Sequence, residues 1–225
     1  MSEESLFREV DEEVRREQLA KIWQRYGNVF VGLSLGIVIA VAGIKGWQYW
    51  ERTQAEAAGR AYFAAVALEE GKKPSEALAA FEALGKGGHG GYAVLARFRV
   101  AATLLGDGDS AAALKAYEEL AADARIDQSL RDLARVRAAY ILADSASATD
   151  LAQRLAGLDA ADNPWRNAAN EIIALAAYRA GNHVEADRRM NAVLADPALT
   201  AGARQRAQIF LQVLQPLIAK PSGTQ

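Results

Sequence analysis

The 225-residue chain contains no cysteine and only two histidines. The absence of cysteine excludes disulfide bridges, thiolate metal sites, a thiol nucleophile and a lipid-modified N-terminal cysteine. The 26 lysines and arginines are balanced by 28 aspartates and glutamates, so the chain has no excess of the basic residues that contact nucleic acid. The composition therefore predicts a protein without a nucleic-acid partner.

The chain also lacks a recognisable catalytic or metal-binding motif. His89 lies in the sequence GKGGHGG and His183 follows a predicted turn, and neither has a second ligand at metal-binding spacing. The glycines around His89 are not followed by the lysine and hydroxyl residue of a phosphate-binding loop. We therefore expect no catalytic residue, no metal, no cofactor and no small-molecule substrate.

One long apolar run, VGLSLGIVIAVAGIKGWQYW, occupies residues 31–50, and no charged residue lies between Val29 and Ile44. As a helix, residues 26–47 extend about 33 Å, which matches a hydrocarbon core of roughly 30 Å. Aromatic residues suited to the headgroup region bracket this stretch, namely Trp23 and Tyr26 on one side and Trp47, Tyr49 and Trp50 on the other. The sequence predicts a transmembrane helix over residues 26–47.

A buried core helix and a cleaved export signal are the alternatives to a membrane anchor. A core helix is rarely apolar all round over this length. Ala40-Val41-Ala42 resembles a signal cleavage site, so cleavage after Ala42 stays an alternative. The region before the run carries seven acidic residues, however, whereas the start of a signal peptide is short and basic.

The distribution of basic residues predicts the orientation of the span. Five lysines and arginines precede it and three follow it within a similar distance, which favours a cytoplasmic N-terminus. In a bacterium the remainder would then lie in the periplasm. The predicted organisation is a cytoplasmic charged helical segment (1–25), the span (26–47), a periplasmic repeat domain (48–215) and a flexible tail (216–225).

Small residues recur every four positions within the span. Gly32, Gly36 and Ala40 therefore share one helix face, where a second membrane helix can approach closely. The alternative is that glycine is simply common in membrane helices. This row is our candidate membrane-helix contact face.

Three segments after the span share a pattern of a turn, an alanine and a large apolar residue four positions later. The turns contain Gly71, Gly108 and Gly181, and the pairs are Ala77/Phe81, Ala113/Tyr117 and Ala186/Met190. The first turn reads as one residue longer than the others. LARFRVAA, from Leu95, recurs 38 residues later as LARVRAAY, from Leu133, and supplies a further unit of a repeat of about 34–38 residues.

This period predicts an all-α fold, in which the single N-terminal transmembrane helix is followed by a solenoid resembling tetratricopeptide repeats. We expect about four helix pairs and a capping helix over roughly residues 198–215. Alanine at each helix crossing would permit close approach. The first helices carry Phe63-Ala64, Val100-Ala101, Ala138-Ala139 and Ile173-Ala174 at positions that we expect to be equivalent.

The first helices of such a stack line its concave face, and here they would form an apolar groove for a short helix or an extended apolar segment. The candidate lining residues are Leu68, Leu95, Phe98, Leu105, Leu133, Val136, Tyr140, Leu175 and Tyr178. The alternative for each of them is burial beneath a neighbouring helix.

Several motifs in this order resemble the YfgM-like family of single-pass inner-membrane proteins. They are GWQYW at residues 46–50, GGYAVLARFRVAA at 90–102 and NPWRNAANEIIALAAYRAGN at 163–182. Members of that family look like ancillary subunits of the bacterial SecYEG translocon. The longer N-terminal segment and the glycine-rich loop around His89 depart from the family pattern.

The resemblance implies a non-enzymatic, membrane-anchored adaptor that links Sec-dependent export to periplasmic chaperones or emerging chains. Its partners would be translocon subunits and chaperones, and its location the inner membrane with the repeats in the periplasm. Two other functions stay open: an envelope scaffold for cell-wall or division machinery, and a stress-signalling tether acting through residues 1–25.

Overall fold

The computed structural model describes residues 3–87, 90–160 and 162–218, and all regular secondary structure in this part of the chain is α-helix. The prediction of an all-α fold is confirmed. His89 and residues 219–225 of the predicted tail lie outside the described residues. The helices are α1 (Glu3–Glu70), α2 (Pro74–Gly87), α3 (Gly91–Gly106), α4 (Ser110–Ala122), α5 (Gln128–Leu142), α6 (Ala148–Arg154), α7 (Arg166–Arg179), α8 (His183–Leu194) and α9 (Ala201–Ile218).

The chain divides into two compact units, Met1–Ala57 and Ala58–Gln225. In the first, helix α1 contains the apolar run. One helical stretch in the described part, Arg25–Glu70, is long and apolar enough to cross a membrane by length and composition. Its most apolar window has a mean hydropathy of 2.1 and is only 6% buried, whereas a core helix of a soluble protein would be mostly buried.

The second unit consists of four helix pairs and a last helix, as predicted. The first helices of the pairs are residues 58–70 of α1 followed by α3, α5 and α7, and the second helices are α2, α4, α6 and α8. Helix α9 packs on the last pair through Ala207 and Leu214. This order of paired helices is the expected solenoid with its capping helix.

Each pair is held by a small apolar cluster that the first helix of the next pair closes. Ala65, Ala77 and Phe81 of the first pair meet Ala96 of α3, for example. The three predicted alanine–large residue pairs are all buried, with exposed fractions of at most 3%. Because alanine has a single methyl group, the helix backbones approach closely while the larger partner fills the space beside the crossing.

The register of the first pair differs from the prediction by one residue. Ala65, not Ala64, is fully buried, and Phe63 is 62% exposed. The cause is in the turn: Lys72 has φ 59° and occupies the left-handed position that Gly108 and Gly181 hold in their turns. The first turn is therefore no longer than the others.

The backbone hydrogen bonds confirm that these three turns are equivalent. The amide of Lys73 donates to the carbonyl of Leu68 at 3.0 Å, as Asp109 does to Leu104 and Asn182 does to Ala177. Such a bond closes a helix whose last residue turns left-handed. Gly71 lies one position before the residue that needs this conformation.

The third pair has a short second helix, and the last helix is longer than predicted. Leu151 and Leu155 are both fully buried, although α6 ends at Arg154. Helix α9 continues through Pro216 to Ile218, where we predicted a tail from residue 216. Proline is tolerated there because it is exposed and costs the helix a hydrogen bond only in its final turn.

Replacing Lys72 with glycine is expected to stabilise the repeat unit by about 0.5–1 kcal/mol, because glycine adopts positive φ without the steric cost of a side chain. Thermal unfolding of the full-length protein, followed by circular dichroism, should show a melting temperature higher by about 1–4 °C.

The matched control is the reverse change, Gly181→Lys. A Cβ atom at Gly181 meets nothing within 4 Å, so the backbone conformation alone should lower stability by a similar amount. A melting temperature that falls in Lys72→Gly would contradict the assignment of this turn.

Candidate functional site

The side chains of the first unit that we expected at a membrane are exposed. The aromatic residues Trp23, Tyr26, Trp47, Tyr49 and Trp50 all lie on the surface of α1. Nothing lies within 4 Å of a Cβ placed on Gly32 or Gly36, and Ala40 is exposed. Gly43 and Gly46 are open in the same way and lie seven and ten residues beyond Gly36, which extends the small-residue face by almost two turns.

The predicted groove residues fall into three groups. Leu95, Leu105 and Tyr140 are exposed large side chains of the first helices. Five others are half-buried: Leu68, Phe98, Leu133, Leu175 and Tyr178. Phe98 packs against Tyr117, with ring centroids 6.0 Å apart. The third group is one residue that does not reach the surface.

Val136 does not line a groove. Its side chain is 3% exposed and packs in the cluster that joins α5, α6 and α7. Arg137, the next residue, is exposed and lies with Leu133 and Tyr140 along one side of α5. Helical periodicity locates the exposed face of a helix to within about one residue. We predicted Val136 for this face because it is apolar, but its neighbour Arg137 is the exposed residue.

A recurring pair of arginines was not used in the sequence interpretation. The pattern Ala-Arg-x-Arg occurs in α3, α5 and α9, as Arg97 and Arg99, Arg135 and Arg137, and Arg204 and Arg206. The two arginines of each pair are two positions apart in the sequence, which places them about 200° apart around the helix axis. They therefore point to different sides of the helix. Their contacts show two separate roles.

The first arginine of each pair binds the C-terminal end of a second helix. Arg97 contacts the carboxylate of Asp123, the C-cap of α4, at 2.8 Å. Arg135 donates to the carbonyl of Arg154 at 2.7 Å, where α6 ends. Arg204 donates to the carbonyl of Leu194 at 3.3 Å. Arg135 and Arg204 stabilise carbonyls at a helix C-terminus, and Arg97 neutralises the carboxylate of the C-cap residue, so all three arginines are structural.

The second arginine of each pair is exposed. Arg99 donates to the hydroxyl of Tyr62 at 3.3 Å and to the carboxylate of Glu69 at 3.4 Å, which connects α3 with the first helix before it. The Tyr62 hydrogen bond is the main cause of a raised pKa at Arg99. Arg206 contacts Glu171 of α7 at 3.5 Å in the same manner.

Arg137 differs from these two arginines. Within the described residues it has no hydrogen bond or ion pair, although its charge acts on both Tyr117 and Tyr140. Burial, followed by the nearby carboxylate of Glu171, raises the pKa of Tyr140. An exposed guanidinium of this kind can donate hydrogen bonds to a carboxylate of another molecule.

We call the exposed part of these helices the first-helix face. It consists of Phe63, Leu95, Arg99, Leu105, Arg137 and Tyr140. Exposed large apolar side chains on the same helix faces as arginines, of which Arg137 has no ion pair in the described residues, are suited to protein contact. Among the residues that the structure describes, no group of three histidine, aspartate or glutamate side chains could hold a metal ion.

The paired helices, their alanine crossings and the equivalent turns define an α-helical repeat protein of the tetratricopeptide type. A family model described as a tetratricopeptide repeat-like domain matches residues 21–209, and the chain belongs to this family. Repeat domains of this class are protein-interaction modules. The chain has no match among proteins of curated function or among solved structures.

The two roles of the arginines can be separated by a pair of substitutions. Arg97→Ala should destabilise the protein by about 1–2 kcal/mol, because it removes an ion pair whose side chains are only 28% and 12% exposed. Arg99→Ala, which removes an exposed pair, should cost less than about 1 kcal/mol. Chemical denaturation of the two full-length variants measures both values, and equal losses would contradict this division.

Proposed function

We propose that the protein is a non-enzymatic, membrane-anchored adaptor whose first-helix face binds a segment of another protein. The observation that carries this proposal is the combination of Leu105, Tyr140 and Leu95 with the unpaired Arg137 on the exposed side of a repeat stack. Repeat stacks use such extended faces to bind partners. The expected ligand is an apolar segment that carries at least one carboxylate.

The anchor is residues 26–47, and two observations support it. The apolar window is almost entirely unburied, which leaves its hydrophobic area without a protein partner in this chain. Exposed tryptophan and tyrosine residues stand at both ends, where amphipathic rings prefer the membrane interface. A lipid bilayer would cover this surface along its whole length.

The excess of basic residues before the span favours a cytoplasmic N-terminus and a periplasmic repeat domain in the bacterial inner membrane. The resemblance to the YfgM-like family extends the proposal to a particular setting. The anchor would contact the Sec translocon through Gly32, Gly36 and Ala40, and the first-helix face would hold a periplasmic chaperone or an emerging chain. The small-residue face supports the first contact, because close helix packing drives association in lipid.

Gly36→Leu tests the membrane contact. The larger side chain should separate the two helices, so that translocon subunits are lost from the material that co-purifies with the full-length protein in mild detergent, as measured by quantitative mass spectrometry. Ser34→Leu is the matched control, since it adds the same side chain on the opposite side of the helix. Translocon subunits that are absent from the wild-type material would contradict the Sec setting while leaving the adaptor proposal intact.

Arg137→Glu tests the first-helix face. The reversed charge should repel a carboxylate and reduce recovery of the bound protein by about tenfold in the same co-purification. Lys115→Glu makes the same change of charge at an exposed position of α4 and should alter recovery by less than about twofold. Equal recoveries from the two variants would exclude this face as the binding surface.

A further inference from the structure

Successive second helices of the repeat unit are separated by grooves, which we name by the helices on either side: α2–α4, α4–α6 and α6–α8. One residue of each later helix occupies an equivalent place beside its groove, immediately before the large buried residue of that helix. This residue is Ala116 in α4, Arg154 in α6 and Arg189 in α8. We call it the groove position.

The two arginines at the groove position reach back to a carboxylate of the preceding unit. Arg154 donates to the carboxylate of Glu118 in α4 at 2.7 Å. Arg189 contacts the carboxylate of Asp159, which follows α6, at 3.3 Å. The α4–α6 and α6–α8 grooves are therefore each crossed by an ion pair that the chain itself supplies.

The α2–α4 groove has the carboxylate but not the arginine. Glu82 directly follows the large buried residue of α2, as Glu118 does in α4, so the two glutamates are equivalent in the repeat. The groove position opposite Glu82 is Ala116, whose methyl group cannot form an ion pair. The cavity here measures about 230 Å³, close to the 280 Å³ of its counterpart in the α4–α6 groove. The space is thus conserved between the two units while the crossing ion pair is missing.

A second carboxylate lines the α2–α4 groove. Glu119 is exposed, and within the described part of the chain its side chain has no hydrogen bond or ion pair. Of the two cations that line the cavity, Arg97 is paired with Asp123 at 2.8 Å. Lys86 pairs with Glu82 at 3.1 Å, but its side chain is 79% exposed, and such a surface pair is weak enough to be exchanged.

The floor of the α2–α4 groove is suited to the stem of an arginine. It is formed by Val100 and by Arg97, whose Cγ would lie only 3.0 Å from a Cβ at Gly85. In the α4–α6 groove Arg135 has the place of Arg97, and it donates to the carbonyl of Arg154 at 2.7 Å. That groove therefore shows that a second arginine can lie beside the arginine of the first helix.

We propose that the α2–α4 groove binds an arginine side chain of another protein, whose guanidinium donates to the carboxylates of Glu119 and Glu82. The planar guanidinium can pair with a carboxylate through two hydrogen bonds, whereas a lysine ammonium acts as a point charge. Both equivalent grooves already hold an arginine and not a lysine. The site lies on the second helices, so it does not rest on the proposal for the first-helix face.

The test uses the peptide acetyl-Gly-Arg-Gly-amide as the probe. It is titrated into the full-length protein in mild detergent, and the methyl signals of Val100 are followed by NMR. These signals should shift, and the same peptide with citrulline, the neutral isostere of arginine, should bind at least about tenfold more weakly. Glu119→Gln changes an exposed side chain and should weaken binding of the arginine peptide by about tenfold.

Ala116→Arg supplies the missing arginine within the chain and should abolish the response of Val100 to the peptide. Ala111→Arg is the matched control, because it adds the same side chain at an exposed position on another side of α4, and it should change the affinity by less than about twofold. Circular dichroism of each variant establishes that the helices are intact.

Three results would overturn the proposal. The first is that the arginine peptide leaves the Val100 signals unchanged in the wild-type protein. The second is equal binding of the arginine peptide and its lysine counterpart, which would show an unselective acidic surface. The third is undiminished binding by Ala116→Arg, which would place the peptide outside this groove.

Discussion

Close contact between helices at buried alanines is the constraint on which the repeat unit depends. Ala65 of α1 packs with Ala77 of α2, and Ala177 of α7 packs with Ala186 of α8. Ala101, Ala113 and Ala174 are also fully buried. A larger side chain at such a crossing would force the backbones apart, and overpacking of this kind costs about 1–3 kcal/mol. The same side of each first helix is buried at these crossings. The opposite sides are therefore exposed at equivalent positions, and together they form the first-helix face.

The helix pairs could be predicted because alanine and a large apolar residue at four-residue spacing have one simple packing solution. The register of the first pair could not be predicted. Glycine is the residue expected in the left-handed conformation of a turn, but here Lys72, next to Gly71, adopts that conformation. The prediction of Val136 failed for a related reason. Apolar character indicates burial as readily as it indicates a binding surface, and only packing decides between them.

The arginines show that residues in a repeated sequence pattern can have different structural roles. Ala-Arg-x-Arg is visible in the sequence three times, yet the pattern does not tell which arginine holds a helix end and which lies exposed. The distinction depends on where α4, α6 and α8 end, and those ends follow from turns of different length. Arg137 differs from Arg99 and Arg206 because, within the described residues, it lacks the ion pair that each of those two arginines makes.

Within the described part of the chain, large apolar side chains are exposed along the window in α1 and on the first-helix face. The central claim is that the first-helix face binds a protein segment. The most direct measurement is photo-cross-linking in living cells with a photoreactive amino acid in place of Tyr140, compared with the same residue in place of Lys115. We expect discrete protein adducts at position 140 and none at position 115. Equal yields at both positions, or adducts at 115 alone, would contradict binding at the first-helix face.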